Sequence, residues 1–239
     1  MARPRVIVAG GGYAGLAAIK VLRARDDLAV TLIDPSPTHQ LIPELPAALR
    51  PDGTVREHTV PFSTLLRDSG VVHRTDSITG VRAAERTVVL RSGAHLTFDW
   101  LIVSVGSMTR WPPIPGLRES ALPFRTAADA RHLRERLEGR CGLRVVILGG
   151  GLTGVEVAGE LAARHQVHVV EMAPRILPEV GPGLSRYGSQ VLQHNDVEIS
   201  TATQVDRVDP QKLVIKPGQS IPFDVLVWTG GIARRILPG

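Results

Sequence analysis

Short continuous apolar runs recur along the chain, each bounded by a turn signal. The first, residues 6–9, stops at Gly10-Gly11-Gly12. That is the pattern of a strand covered on both faces and running into a tight turn. An alanine-rich segment over residues 16–25 predicts a helix, and residues 28–34 predict a second buried strand ending on an acid, Asp34. The same order returns later: an apolar run at 145–148, the turn Gly149-Gly150-Gly151, a helix over 155–164, and a strand over 167–171 ending on Glu171. The endings of the two copies also align, Phe98-Asp99-Trp100-Leu101-Ile102-Val103-Ser104-Val105-Gly106 with Phe223-Asp224-Val225-Leu226-Val227-Trp228-Thr229-Gly230-Gly231. Between start and end lie short β-branched runs at 71–72, 87–90, 197–199 and 213–215. Turn signals such as Arg91-Ser92-Gly93 and Lys216-Pro217-Gly218 separate them, which predicts a small antiparallel meander in each copy.

An internal repeat decides the architecture before any single motif does. The expected fold is α/β, two tandem Rossmann-like units of three layers: parallel sheet, helices and antiparallel β-meander. The Pro-rich stretch at 111–116 suits neither helix nor central strand and reads as a hinge. It places domain boundaries at 1–112 and 113–239.

Composition narrows the function. Of 239 residues, 43% are hydrophobic and 21% charged, a globular balance. No window reaches the ~18 consecutive apolar residues of a membrane-spanning helix, and the first apolar run is too short for a secretory signal. A cytoplasmic protein is expected. The lone Cys141 excludes an intrachain disulfide or a Cys-x-x-Cys site within this chain. A net charge of +5 raises the question of nucleic acid. The basic residues are scattered and aromatics are only 4%, too few for base-stacking platforms, so no nucleic-acid partner is expected. The positive field suits anionic ligands such as pyrophosphates, or an anionic lipid surface.

A Gly-x-Gly-x-x-Gly motif gains meaning from a preceding strand, a following helix and an acid about 20 residues on. Gly10, Gly12 and Gly15 have all three, with Asp34 as the acid; so do Gly149, Gly151 and Gly154, with Glu171. The first glycine allows the tight turn, the second lets a pyrophosphate approach the backbone, and the third brings helix against strand. The helix N-terminus offers free N–H groups to phosphate, and the acid accepts from ribose hydroxyls. A glycine-rich connector is the plainer reading of one such motif, but it does not explain two at equivalent points of a duplicated unit. Two dinucleotide sites serve to bring two cofactors together for electron transfer.

On these residues the chain resembles the two-dinucleotide-binding-domain flavoproteins of the pyridine nucleotide-disulfide oxidoreductase superfamily, and most closely the type II NADH dehydrogenases, which are NADH:quinone oxidoreductases. The resemblance runs through Val6-Ile7-Val8-Ala9-Gly10-Gly11-Gly12-Tyr13-Ala14-Gly15-Leu16, Thr31-Leu32-Ile33-Asp34, Val103-Ser104-Val105-Gly106-Ser107, residues 149–160 and Val227-Trp228-Thr229-Gly230-Gly231-Ile232. It implies FAD on the first unit, with Gly10, Gly12, Tyr13 and Ala14 along the pyrophosphate, Asp34 on the ribose, Ile78 beside the adenine, and Ser104 to Gly106 over the flavin. It implies NADH on the second, with Gly151, Leu152 and Thr153 at the pyrophosphate, Glu171 on the ribose, and Gly230 and Gly231 near the nicotinamide. The acceptor it implies is a quinone or other small molecule. A longer form would contact the membrane peripherally, and a homodimer is compatible with the family. Members continue well beyond this point with a segment that grips the flavin ring, whereas this sequence stops at Gly239, so weak flavin retention is expected. A ferredoxin- or rubredoxin-reductase-like protein and a non-catalytic dinucleotide-binding module remain the alternatives.

Several residues have two readings. Glu156 lies near the N-terminus of the second helix, where the helix dipole favours a carboxylate regardless of function. The resemblance makes it the candidate catalytic group, beside nicotinamide and flavin. Glu160, one turn on, reads as structural. His165 and His168 lack a third ligand at metal spacing, so no metal is expected. Arg175 is either a 2′-phosphate ligand or a surface arginine. His39 sits in a Pro-rich loop that the resemblance would bring near the flavin.

Overall fold

The apolar run that opens each copy becomes the inner strand of a parallel sheet, and its alternation explains why the run is unbroken. In the computed structural model, which describes residues 2–238, the chain divides into two units. One takes the chain up to Gln40, Thr59–Met108 and the stretch from Ala233; the other takes Leu41–His58 and Thr109–Ile232.

The first unit contains β1 (Arg5–Ala9), α1 (Tyr13–Leu22), β2 (Ala29–Asp34), β3 (Thr38–Gln40), β4 (Thr59–Pro61), β5 (Val72–Thr75), β6 (Ile78–Arg82), β7 (Thr87–Leu90), β8 (His95–Thr97) and β9 (Trp100–Val103). Its parallel sheet has the order β5-β2-β1-β9, the crossing order of a Rossmann unit, and β6-β7-β8 form the antiparallel meander. Val6 and Val8 of β1 pack with Ile19 of α1, Leu32 and Phe62 on one face. Ile7 packs with Ile33, Val88, Leu90 and Phe98 on the other. Burial on each side contributes about 1.5–3 kcal/mol per large aliphatic side chain, so neither face of β1 tolerates a polar residue.

The second unit repeats the plan. Its elements are β10 (Ala121–Pro123), α2 (Ala127–Leu137), β11 (Arg144–Leu148), α3 (Leu152–Ala162), β12 (Gln166–Val170), α4 (Pro182–His194), β13 (Glu198–Ser200), β14 (Val205–Asp209), β15 (Lys212–Ile215), β16 (Gln219–Pro222) and β17 (Val225–Trp228). The parallel sheet runs β10-β17-β11-β12-β13, and β14-β15-β16 form the meander. Val145 and Ile147 face α3, while Val146 and Leu148 face Leu213, Ile215 and Phe223. The expected α/β fold, with a three-layer unit written twice, is what the chain adopts.

Three features differ from the sequence expectation. Both helices begin three residues early, at Tyr13 and Leu152, because Gly12 and Gly151 stay extended and act as N-caps. The Pro-rich stretch is not a free hinge. Trp111 and Ile114 pack on the meander-side core of the second unit, Trp111 stacks on Trp228 at 6.2 Å, and the Trp228 indole N–H donates to Arg110 O at 2.9 Å. Burial of these apolar rings outweighs the freedom that the prolines suggested. Finally, Leu41–His58, which the sequence groups with the first copy, belongs to the second unit. A 3-10 helix over Ile42–Leu49 buries Leu45, Ala48 and Leu49 in that unit's helix-side core. Arg50 forms a two-pronged pair with Glu160 at 2.9 Å, and Arg134 donates to Ala48 O and Arg50 O. Among the described residues no helix is long and apolar enough to cross a membrane.

Candidate dinucleotide-binding sites

Each unit presents a strand–turn–helix built by the same devices. Gly10 (φ +101°) and Gly149 (φ +111°) take the backbone through a left-handed turn that side chains disfavour. Their N–H groups donate to Ile33 O at 2.8 Å and Val170 O at 2.9 Å, which fixes each turn against the second strand. A Cβ on Gly15 would collide with Gly10 O, and one on Gly154 with Gly149 O, so the third glycine is what lets the helix lie against the turn. The middle glycine is different. A Cβ on Gly12 would meet nothing within 4 Å, and one on Gly151 would meet only the Glu179 carboxylate, at 3.4 and 3.9 Å. Open space over a backbone that leads into helix N–H groups is what a pyrophosphate requires.

The acids do two jobs. Asp34 accepts from Gly11 N at 2.7 Å and from Ser36 N at 2.8 Å. Glu171 accepts from Gly150 N at 2.6 Å and from Ala173 N at 2.7 Å. Each carboxylate thereby pins its turn through one bond per oxygen, and each oxygen keeps capacity for a second donor. Paired ribose hydroxyls match that remaining capacity. The residues present therefore fit FAD and NADH at their adenosine and pyrophosphate parts.

Sequence reasoning missed several parts of this construction. Ser104 Oγ donates to Ala9 O and Gly10 O, both at 2.9 Å, and Thr229 Oγ1 donates to Leu148 O at 3.1 Å and Gly149 O at 2.9 Å. These hydroxyls stand at equivalent ends of β9 and β17 and clamp the two turns, a pairing the aligned copies already contained. Gly11 and Gly150 are glycine for packing: a Cβ would strike the Phe62 ring in one case and Ile176 in the other. His39 is buried rather than a plain loop residue. Its Nδ1 donates to Gly11 O at 2.9 Å, and its ring meets Tyr13 edge-on at 4.8 Å.

The other candidates are scattered around these turns. Tyr13 and Ala14, like Leu152 and Thr153, form the first turns of α1 and α3, with Tyr13 and Leu152 more than half exposed. Ile78 opens β6 and packs half-buried against the sheet, just after Asp76, whose N–H donates to Asp34 O. Gly106 adopts a left-handed backbone with open space around its Cβ position. Gly230 is required locally, since a Cβ would lie 2.6 Å from the Trp228 ring, and Gly231 is left-handed beside Arg110. Glu156 lies on the exposed face of α3; partial desolvation first, then the nearby Glu160 charge, push its carboxyl above the ordinary range. Arg175 donates to Leu177 O and Pro178 O, both at 2.9 Å, and so staples its own loop. His168 places its ring nitrogens on Ser200 and Glu198.

The profile described as pyridine nucleotide-disulphide oxidoreductase matches residues 4–236. The demethylphylloquinone reductase of Synechocystis is 28% identical over 252 residues, covering 96% of this chain and 62% of that protein. The chain thus spans about three-fifths of that relative's length. Among solved structures, the NDH2 of Plasmodium falciparum in complex with NADH superposes with a TM-score of 0.87 at 21% identity, over 98% of this chain and 56% of that one. A ferredoxin reductase from Rhodopseudomonas palustris gives a TM-score of 0.87 at 24% identity, over 96% and 59%.

Proposed function

Because the chain belongs to the pyridine nucleotide-disulphide oxidoreductase family, we propose that it is the dinucleotide-binding core of an NADH-dependent flavin oxidoreductase that passes electrons to a quinone. The observation that carries the reading is the duplicated cradle: two glycine turns, each with a middle glycine whose Cβ position is clear of backbone, and a pinned acid at the end of the next strand. The first unit (with Gly10, Gly12, Tyr13, Ala14, Gly15, Asp34, Ile78 and Gly106) is assigned to FAD. The second (with Gly149, Gly151, Leu152, Thr153, Gly154, Glu171, Gly230 and Gly231) is assigned to NADH.

Bound FAD would supply the chemistry that accepts hydride from NADH and releases electrons to the acceptor. The chain's own residues bind and orient. The N–H groups at the start of α1 and α3 would face the phosphates, and Asp34 and Glu171 would hold the riboses in register. Glu156, whose carboxyl partial desolvation and then the Glu160 charge push above its ordinary value, is the group we assign to proton exchange with a reduced ring. With Cys141 as its one thiol, the chain supplies no dithiol of its own, so a small acceptor is favoured over an intrachain disulfide step. The name of the Synechocystis relative favours a quinone, and a quinone acceptor would bring the working protein to a membrane surface, where a charge of +5 favours anionic lipid. A ferredoxin-type acceptor is the second reading, supported by the Rhodopseudomonas structure.

The test is the visible flavin absorbance of the purified chain after reconstitution with FAD, followed by NADH oxidation with a soluble quinone and with a ferredoxin. Flavin binding with quinone-dependent oxidation is expected. Ferredoxin-dependent oxidation alone would transfer the assignment to the second reading, and failure to bind either dinucleotide would end it.

A further inference from the structure

Glu179 breaks the symmetry of the two cradles. At the first turn the space over Gly12 is open. At the second, both Glu179 carboxylate oxygens lie over Gly151, and Oε1 accepts a 2.9 Å bond from Leu152 N–H, the first amide of α3. That amide and that space are the groups a dinucleotide pyrophosphate would use. A carboxylate and a phosphate seek the same partners there, free N–H groups and the positive end of the helix. They also repel each other, so one excludes the other.

The acid is delivered by an anchored loop. Leu177 N–H donates to Gly150 O at 2.7 Å, Arg175 holds the carbonyls of Leu177 and Pro178, and Ile176 is fully buried against the unit's core. The side chain of Glu179 itself is exposed and can swing away without disturbing these contacts. We propose that Glu179 is a built-in competitor for the dinucleotide phosphates of the second unit, an affinity-setting residue that nicotinamide nucleotide must displace on entry and that returns as it leaves. Among the described residues the first unit shows no counterpart at Gly12, which suits a cofactor that stays, whereas a co-substrate must depart in every cycle. The inference rests on the assignment of NADH to the second unit. A purely structural N-cap would act with the opposite sign: its removal would weaken α3 and bring no gain in binding.

The experiment is a calorimetric titration of NADH into the wild-type chain, Glu179→Ala and Glu179→Gln, with Gly151→Val as the obstructed reference and a melting temperature for each. Glu179→Ala is expected to bind NADH about tenfold more tightly, the size of one charge-assisted contact. Glu179→Gln, which keeps an acceptor for Leu152 N–H without the charge, should gain less, and it preserves the test if the alanine variant folds poorly. NADH binding by Glu179→Ala alone would support the inference most strongly. Wild-type affinity in both folded variants, or weaker binding, would overturn it while leaving the second unit as the NADH site. No NADH binding by any of the chains would remove that assignment, and the inference with it.

Discussion

With NADH assigned to the second unit as proposed, Glu171 and Arg175, four residues apart, would set which nicotinamide nucleotide that unit prefers. Glu171 holds Gly150 and Ala173 and keeps acceptor capacity for a 2′-hydroxyl, whereas a 2′-phosphate would meet like charge. Arg175 is committed to Leu177 O and Pro178 O and offers that phosphate no compensation. Charge-assisted bonds contribute roughly 1.5–3 kcal/mol, so NADH should bind at least about tenfold more tightly than NADPH. Equal dissociation constants in parallel titrations would overturn this and release Arg175 from its loop role. The glycines of the same turn make a paired prediction. At Gly151 the backbone is ordinary (φ −72°) and a Cβ has room, so Gly151→Val should keep its melting temperature and lose NADH binding by obstruction alone. At Gly154 a Cβ strikes the Gly149 carbonyl, so Gly154→Ala should destabilise by about 1–3 kcal/mol or more in denaturant unfolding. If the two variants exchanged behaviours, the division of labour among these glycines would be wrong.

The elements differ in how openly the sequence displays them. β1 and β11 are legible because both faces are covered, so their apolar runs are unbroken, and the glycines that follow mark where each strand must turn. α2 is not. It buries Ala127, Ala130, Leu133 and Leu137, a correct helical spacing, but half of those positions are alanine, interspersed with three arginines, one histidine and two acids. Its start was nevertheless written in the sequence: Thr126 accepts from Asp129 N, and the Asp129 carboxylate accepts from Thr126 N at 2.8 Å. That reciprocal cap predicts a cost of about 1 kcal/mol for Thr126→Ala, read as a shift in the denaturant midpoint without a change in slope. An unchanged midpoint would mean that tertiary packing alone holds the helix. α4 is obscured for another reason. It buries only Ser185 and Leu192 and leaves Leu184 and Tyr187 exposed, so its apolar positions do not trace an inward face. In the site, the glycines and acids were readable by spacing, and Ser104 and Thr229 were readable by aligning the copies. Glu179 was not, because its contact with Leu152 depends on how the 175–180 loop folds back and on no local pattern.

For the whole molecule, one buried and two half-buried histidines set the first pH limit on stability. His73, His165 and His168 are each shifted below the ordinary value of 6.5, mainly because burial disfavours the charged ring; Arg164 adds to the effect at His165, and Glu198 opposes it at His168. Below pH 6.5 the unfolded chain takes up protons that the folded chain refuses at these sites, so stability falls as pH drops toward the depressed folded values. Glu156 has the opposite sign. Its folded value is raised, so its protonation favours the folded state as pH falls through that value, offsetting part of the loss. The second limit lies lower. Arg5 holds Asp99 below the usual range, and at the equivalent place in the other unit the Arg144 guanidinium and backbone N–H hold Asp224 at about 2, so both contribute stability that is lost as pH falls below 3.8. The melting temperature should therefore be level above pH 7, decline from about 6.5 downward, and fall again below about 4. His165 isolates the first step, since its Nδ1 is buried without a hydrogen-bond partner. His165→Leu removes both the titration and the unsatisfied atom, and should raise the melting temperature more at pH 5.5 than at pH 8. An equal effect at the two pH values would show that His165 acts through packing alone and that the acid-side loss arises at the other two rings.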